Sequence, residues 1–278
     1  DEFDDALALI DQEFLRRRNL HGSIESRFPS VVRREHPRNI FVTRTPRGLA
    51  SVLVTHDTPI DTTAVVRQIG MVCTKPEYRQ QGFASALLRF AHSEMVQDGV
   101  RHAILWTTVH PFYEKLGWWM NDLSCLTLVS GNCRIESKDP LEIDVARVRR
   151  AEAIRNEWAS NALPRSYETW CTVPPHADEV ELIIEDGGYA LVGKRSDTGY
   201  LYEMCGPQGS WPSLWQRVRT RYRQIVANGK SGSAWVRWMS TDNHAVWRPN
   251  SLGMHFTPNC GIESSGFYMP FFSVIDRI

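Results

Sequence analysis

Apolar positions recur at helical spacing from the start of the chain. Leu7, Ile10 and Phe14 predict an opening helix that ends near Arg16–Arg18. A polar stretch follows, broken by Phe28-Pro29 and His36-Pro37. The period then shortens to that of strands. Asn39–Arg44 and Leu49–His56, joined by Pro46-Arg47-Gly48, predict a hairpin, and Thr63–Cys73 a third, longer strand. After a polar loop, Ala84, Leu87, Leu88, Ala91 and Met95 line one face of a helix running to about Asp98 and closed by Gly99. Arg101–Thr107 reads as a buried strand. Pro111–Leu116 reads as a short helix stopped by Gly117, and an extended run from Trp118 includes Leu126–Val129.

The second half predicts a similar order. Val145–Ala159 is helix-like. Glu179–Glu185 and Tyr189–Lys194 flank the turn Asp186-Gly187-Gly188, and Tyr200–Met204 adds a strand. A helix over Trp211–Ala227, a strand over Ala234–Met239, a short helix over His244–Leu252 ending at Gly253 and a closing strand over Phe267–Val274 complete the reading. Between the halves, residues 131–140 are rich in Gly, Asn, Ser, Lys and Asp. The expected organisation is therefore a first domain at 1–130, a linker at 131–140 and a second domain of the same architecture at 141–278.

Composition narrows the function classes. Lys plus Arg number 32 and Asp plus Glu 32, so no overall basic field exists to displace the counterions of a duplex, and no nucleic-acid partner is expected. No apolar run is long enough to span a bilayer. Asp1–Asp5 is acidic and the apolar run after it is short, unlike a secretory signal. The first residue is Asp rather than Met, which leaves room for a preceding segment. Cys73, Cys125, Cys133, Cys171, Cys205 and Cys260 form no Cys-x-x-Cys pair and no zinc-like spacing with His. They fit buried thiols in a reducing, cytoplasmic setting, with no metal site. The ten tryptophans lie mostly in the second half; Trp211, Trp215, Trp235, Trp238 and Trp247 occupy positions expected to be core.

One segment carries chemistry. Arg79-Gln80-Gln81-Gly82-Phe83-Ala84-Ser85 lies where a strand gives way to a helix. There the first backbone N–H groups lack intrahelical partners and the helix dipole favours an anion. Gly82 allows close approach to the backbone and Ala84 is small. Alone, this segment reads rather as a plain strand–helix turn. Phe112-Tyr113-Glu114-Lys115-Leu116-Gly117-Trp118 follows the next strand. Together, Arg-x-x-Gly-x-Ala at 79–84 and Phe-Tyr-x-x-x-Gly-Trp at 112–118, with the lead-in Pro76-Glu77-Tyr78, resemble the two signature segments of the GNAT superfamily of acyl-CoA-dependent N-acyltransferases.

The resemblance implies an α/β (α+β) fold, a mixed central sheet flanked by helices, followed by a degenerate GNAT-like domain. It implies acetyl-CoA as cosubstrate. The backbone of Met71, Val72, Cys73 and Thr74 would meet pantetheine, and Arg79, Gln80, Gln81, Gly82, Phe83, Ala84 and Ser85 would hold the pyrophosphate. Tyr113 would serve as general acid when a tetrahedral intermediate, formed by direct attack of an amine, collapses. Where the family often carries an Asn, this chain has Trp106, and Thr107 or Thr108 stands as a substitute. The general base is unmarked; His56, Gln68 and His110 are the side chains near the acceptor's approach.

The second half lacks both motifs. Pro207 and Pro212 remove N–H groups from its loop and Trp211 is bulky, so it is not expected to bind CoA. The expected activity is acetyl transfer to a primary amine, on a small molecule first. The alternatives are an acyl or aminoacyl transferase acting on peptide or protein amines, and a non-catalytic CoA-binding sensor or scaffold. Assembly is left open, a homodimer included.

Overall fold

The computed structural model describes residues 2–33, 39–60, 64–133, 143–159, 162–242, 245–258 and 271–278. His36-Pro37, Thr63, most of the linker at 131–140, His244, Cys260 and residues 267–270 of the expected closing strand lie outside the described residues. In chain order the helices are α1 (Glu2–Phe14), α2 (Ile24–Arg27), α3 (Phe83–Gln97), α4 (His110–Glu114), α5 (Val145–Trp158), α6 (Tyr167–Trp170), α7 (Trp211–Arg221) and α8 (Ala234–Asp242). The strands are β1 (Ile40–Thr45), β2 (Gly48–Pro59), β3 (Val65–Thr74), β4 (His102–Trp106), β5 (Trp119–Met120), β6 (Ser124–Ser130), β7 (Glu179–Glu185), β8 (Gly188–Arg195), β9 (Thr198–Cys205), β10 (Gln224–Lys230), β11 (Arg248–Pro249) and β12 (Gly253–Phe256). No helix among the described residues is long and apolar enough to cross a membrane.

Two six-stranded mixed sheets result, ordered β1-β2-β3-β4-β12-β5 and β11-β6-β10-β9-β8-β7. In each, three antiparallel strands lead through a crossover helix to a parallel fourth: β1-β2-β3-α3-β4 and β7-β8-β9-α7-β10. This is the tandem GNAT fold, an α+β architecture used twice. Helix α1 buries Ala6, Leu7, Leu9 and Ile10 on one side of the first sheet; α3 buries Leu87, Leu88, Ala91 and Met95 with Leu53, Ile69 and Leu105 on the other. In the second unit α7 and α8 pack with β9 and β10, and four of the five tryptophans expected in the core are buried there. Trp247 packs against them, partly buried.

The division along the chain differs from the one expected. One unit comprises the described residues of 1–122, 252–269 and 277–278, the other those of 123–251 and 270–276. The run from Trp118 splits: β5 joins the first sheet, whereas β6, with Leu126–Val129, pairs with β10 in the second. Strand β12, of which only Gly253 was read, as the stop of a short helix, is inserted between β4 and β5. Its Met254 is fully buried beside Leu105 and Met95, and Phe256 stacks on His92 of α3 at 3.8 Å between ring centroids.

Four other expectations are corrected. The helix begun at Trp211 stops at Arg221, because Tyr222 turns extended and 224–230 is strand β10. Residues 234–239 are helical rather than extended. Trp235, Val236, Trp238 and Met239 are buried around an exposed Arg237, a helix face that only resembles an apolar strand. Among the described residues, 245–252 contain no helix, and 271–276 hold a 3₁₀ turn at Val274–Asp276 where a strand was expected.

The inserted strand makes two predictions. Met254→Ala removes a fully buried side chain and should lower stability by ~2–5 kcal/mol in denaturant unfolding. A fragment of residues 1–130 should lack cooperative unfolding, since β4 would keep a bare edge; a fragment as cooperative as the full chain contradicts this. Acid should weaken the same region. Burial, with Arg89 nearby, pushes His92 down to about 4. Burial, with His102 nearby, does the same to His255, against Asp122 and the Asn121 backbone. Between pH 6.5 and 4 the unfolded chain therefore binds more protons, and stability falls as pH falls. His92→Phe should flatten that slope in denaturation midpoints compared at pH 7 and 5.

Candidate active site

The first sheet opens along β3. Strand β2 pairs with it through Val54↔Gly70 and Val52↔Cys73, so Met71 and Val72 together face Leu53, a β-bulge. Met71 has φ 52°, a left-handed backbone at a non-glycine residue. On its other edge β3 pairs with β4 only at Val66↔His102, Arg67↔Ala103 and Gln68↔Ile104. Past Gln68 the two strands part, and the β4-facing peptide groups around the bulge are not paired with β4. Val72 packs on the apolar cluster that holds Tyr113, Trp118 and Leu105. Gly70, on the α1 side, is in close contact with Ile278: a Cβ there would lie 2.5 Å from the Ile278 carbonyl carbon. Arg277 covers the Trp106 ring at 4.9 Å.

After Thr74 the chain makes a 3₁₀ turn at Pro76–Tyr78 and enters α3 through Arg79–Gly82. Gln80 (φ 61°) and Gly82 (φ 85°) are both left-handed, alternating with residues of negative φ, a backbone pattern that turns successive N–H groups toward one side. Gly82 is the N-cap and no side chain caps the first turn. A Cβ on Gly82 would meet nothing within 4 Å, so the space before the helix is open; the glycine is needed for its φ. The turn is fixed by Tyr78, whose hydroxyl meets Thr45 Oγ1 at 3.1 Å and whose ring packs edge-on against Phe83. Arg79 is committed within the protein. Its Nε donates to the Thr74 carbonyl at 3.1 Å and its Nη2 to Glu13 Oε2 at 2.8 Å.

Tyr113, on α4, is buried between Phe112 and Trp118. Burial pushes its phenol up to about 12, so it is protonated throughout the neutral range. Gly117 (φ 87°) ends the turn and Trp118 N–H bonds back to the Tyr113 carbonyl at 3.2 Å, which holds the aromatic segment over the sheet. Thr107 Oγ1 accepts from the Val109 N–H, and His110 Nε2 lies 2.9 Å from the Thr107 carbonyl. A carbonyl only accepts, so that nitrogen carries the proton. His56 and Gln68 are register partners on β2 and β3. Burial lowers His56, against the opposing charge of Asp57, and keeps the ring neutral at neutral pH. The Cys73 thiol is pushed up to about 12 by burial, with Glu13 adding and Arg79 opposing, so it is inert as a nucleophile.

In the second unit the matching place is filled. Strand β9 carries one extra residue, Tyr202, between the pairs Leu191↔Glu203 and Val192↔Leu201. Its carbonyl accepts from Ser273 Oγ at 3.4 Å. Beside it Glu203 accepts from Arg165 at 2.6 Å, Arg155 at 3.3 Å and Tyr189, and Arg165 also binds Asp276 at 2.6 Å. Burial alone would raise Glu203, but the two arginines outweigh it and hold it down to about 2. The following loop is packed on the β7–β8 turn, a Cβ at Gly206 falling 2.5 Å from the Gly188 Cα.

Val72 and Tyr113 thus share one cluster beside the end of the β3–β4 pairing, Gln80–Ser85 stand at the head of α3, and Met71 packs instead with the α1 cluster. Glu13, Gly70 and the β12 residues carried no sequence signal, because each matters through a partner distant along the chain.

A family model for an acetyltransferase (GNAT) domain matches residues 1–120. No curated protein matches the sequence. Among solved structures the fold is similar to a GCN5-related N-acetyltransferase from Anabaena variabilis ATCC 29413, with TM-score 0.66 and 15% identity over 93% of this chain and 71% of that one. A GCN5-related N-acetyltransferase from Kribbella flavida gives 0.60 and 13% over 91% and 68%. Eis1 from Mycobacterium abscessus gives 0.56 and 9% over 93% and 72%. Such identities speak to the fold alone. With the matched domain and the doubled sheet together, residues 1–120 are an acetyltransferase domain of the GNAT family, set in a chain with the tandem GNAT fold.

Proposed function

We propose that this chain moves an acetyl group from acetyl-CoA to a primary amine on a small molecule, and that the first unit does so. The observation that carries the reading is the parting of β3 from β4 past Gln68, just before the Met71–Val72 bulge, with Tyr113 packed in the same cluster as Val72. An acyl-CoA fits the residues present. The open, uncapped head of α3 suits a pyrophosphate, and the unpaired edge of β3 suits the amide groups of pantetheine. The acetyl thioester supplies the activated acyl group.

The chain's own residues supply positioning, charge stabilisation and a proton. Peptide N–H groups freed by the bulge stabilise negative charge on the acyl oxygen as the amine adds. Tyr113 donates a hydrogen bond to the sulfur as it takes the electron pair of the breaking C–S bond. Held at about 12, the phenol is a weaker acid than a thiol, so it shares its proton with the departing sulfur rather than surrendering it outright. His56, neutral at neutral pH and beside Gln68, is suited to take the proton released by the amine. The second unit, its bulge covered by its own side chains, would leave CoA to the first.

Calorimetry should show the full chain binding CoA, and an acetyl-CoA consumption screen over diverse amines, read as free thiol, should find acceptor-dependent release. Binding without any acceptor-dependent release would favour a CoA sensor; no binding would end the reading. Tyr113→Phe should lower kcat by about 10²-fold while leaving the CoA Kd within about threefold. Unchanged turnover would remove Tyr113 from the chemistry.

A further inference from the structure

Glu13 lies at the end of α1, far in sequence from either motif, yet its carboxylate reaches the phosphate loop. Its Oε2 accepts from Arg79 Nη2 at 2.8 Å and from Arg17 Nη1 at 2.7 Å, one turn on. Its Oε1 is buried with no hydrogen-bond partner among the described residues. The side chain is only 11% exposed, against 45% for Arg79. A carboxylate half satisfied in this way, at the rim of a cluster holding Leu9, Ile10 and Phe14, is a poor choice for stability alone.

We propose that Glu13 is a positioning residue for the phosphate loop and acts through Arg79; this rests on the acyl-CoA reading above. One guanidinium ties three elements. Its Nε holds the last carbonyl of β3 at Thr74, its Nη2 holds the end of α1, and its own backbone leads directly into Gln80. Gln80 and Gly82 sit in left-handed conformations, and Gln80 carries a steric cost for it. A loop of this kind keeps its shape only when its neighbours over-determine it. Arg79, expected from the sequence to lend charge to the pyrophosphate, is instead the strut that presents the backbone N–H groups of Gly82–Ser85, and Glu13 fixes the strut. Arg17 steadies Glu13 from the exposed side.

The pair is partly solvated, so its Coulomb energy is modest and the effect falls on geometry. Glu13→Gln in the full chain should weaken CoA binding about five- to tenfold by calorimetry. Its thermal midpoint should stay near that of the wild type. Binding of pantetheine, which lacks the pyrophosphate, should be unchanged in an NMR titration. Arg79→Ala should weaken CoA comparably, and the double variant should bind no worse than Arg79→Ala alone. Three results would overturn the proposal: wild-type CoA affinity in Glu13→Gln, equal losses for CoA and pantetheine, or additive losses in the double variant. A wild-type chain that binds no CoA at all would instead defeat the acyl-CoA reading, and this inference with it.

Discussion

A strand in the middle of a sheet can bond both neighbours only while its peptide groups alternate. In β3 the alternation fails at Met71, where a left-handed residue adds one position to the strand. Antiparallel pairing to β2 resumes beyond it, at Val52↔Cys73, so β3 keeps one partner along its whole length. It keeps the other, β4, only up to Gln68. Among the described residues an interior strand thereby gains a short edge not paired with β4, without the liability of an exposed sheet edge. The rest of the candidate site is arranged around that gap. Tyr113 and Val72 share a cluster at its side, and the strand's own continuation delivers the chain to the head of α3.

The gap needs a rigid far wall, and β12 provides it. With β3 gone past Ile104, Leu105 and Trp106 hold their place by pairing with Met254 and Gly253 on the opposite edge. Phe256 carries the support into α3 and the aromatic turn through His92 and Trp118. The second unit shows what the same architecture becomes when the opening is closed. The extra residue in β9 survives, but Ser273, Arg165 and Glu203 occupy its surroundings. Two copies of one backbone plan therefore differ in what stands beside the third strand: Ser273, Arg165 and Glu203 in the second unit, Ile278 and the cluster of Tyr113 and Trp118 in the first.

Much of this was legible in the sequence where the signal is local. The hairpin turn read at Asp186-Gly187-Gly188 joins β7 to β8 as expected, with Asp186 and Gly187 both left-handed. Arg79–Ala84 and Phe112–Trp118 marked the loop and the aromatic turn because their chemistry lies within a few residues. The failures share a cause. Trp211, Leu214, Trp215, Val218, Tyr222 and Ile225 keep helical spacing straight through the end of α7, and neither Gly nor Pro interrupts them at the boundary. The exchange of β6 and β12 between sheets could not be read at all, since a strand's pattern specifies which face is buried and not which neighbour it finds. Met71 gave no warning either: Gly, Asn and Asp advertise a positive φ, and here methionine adopts it.

The central claim is that the free edge of β3 and the uncapped head of α3 form one cofactor surface. Residue-resolved amide hydrogen exchange on the full chain, with and without CoA, tests it directly. Added CoA should slow exchange at Val72–Thr74 and at Gly82–Ser85 together, and leave the loop at 205–211 of the second unit unchanged. CoA binding that protects neither segment, or that protects the second unit's loop instead, would contradict it.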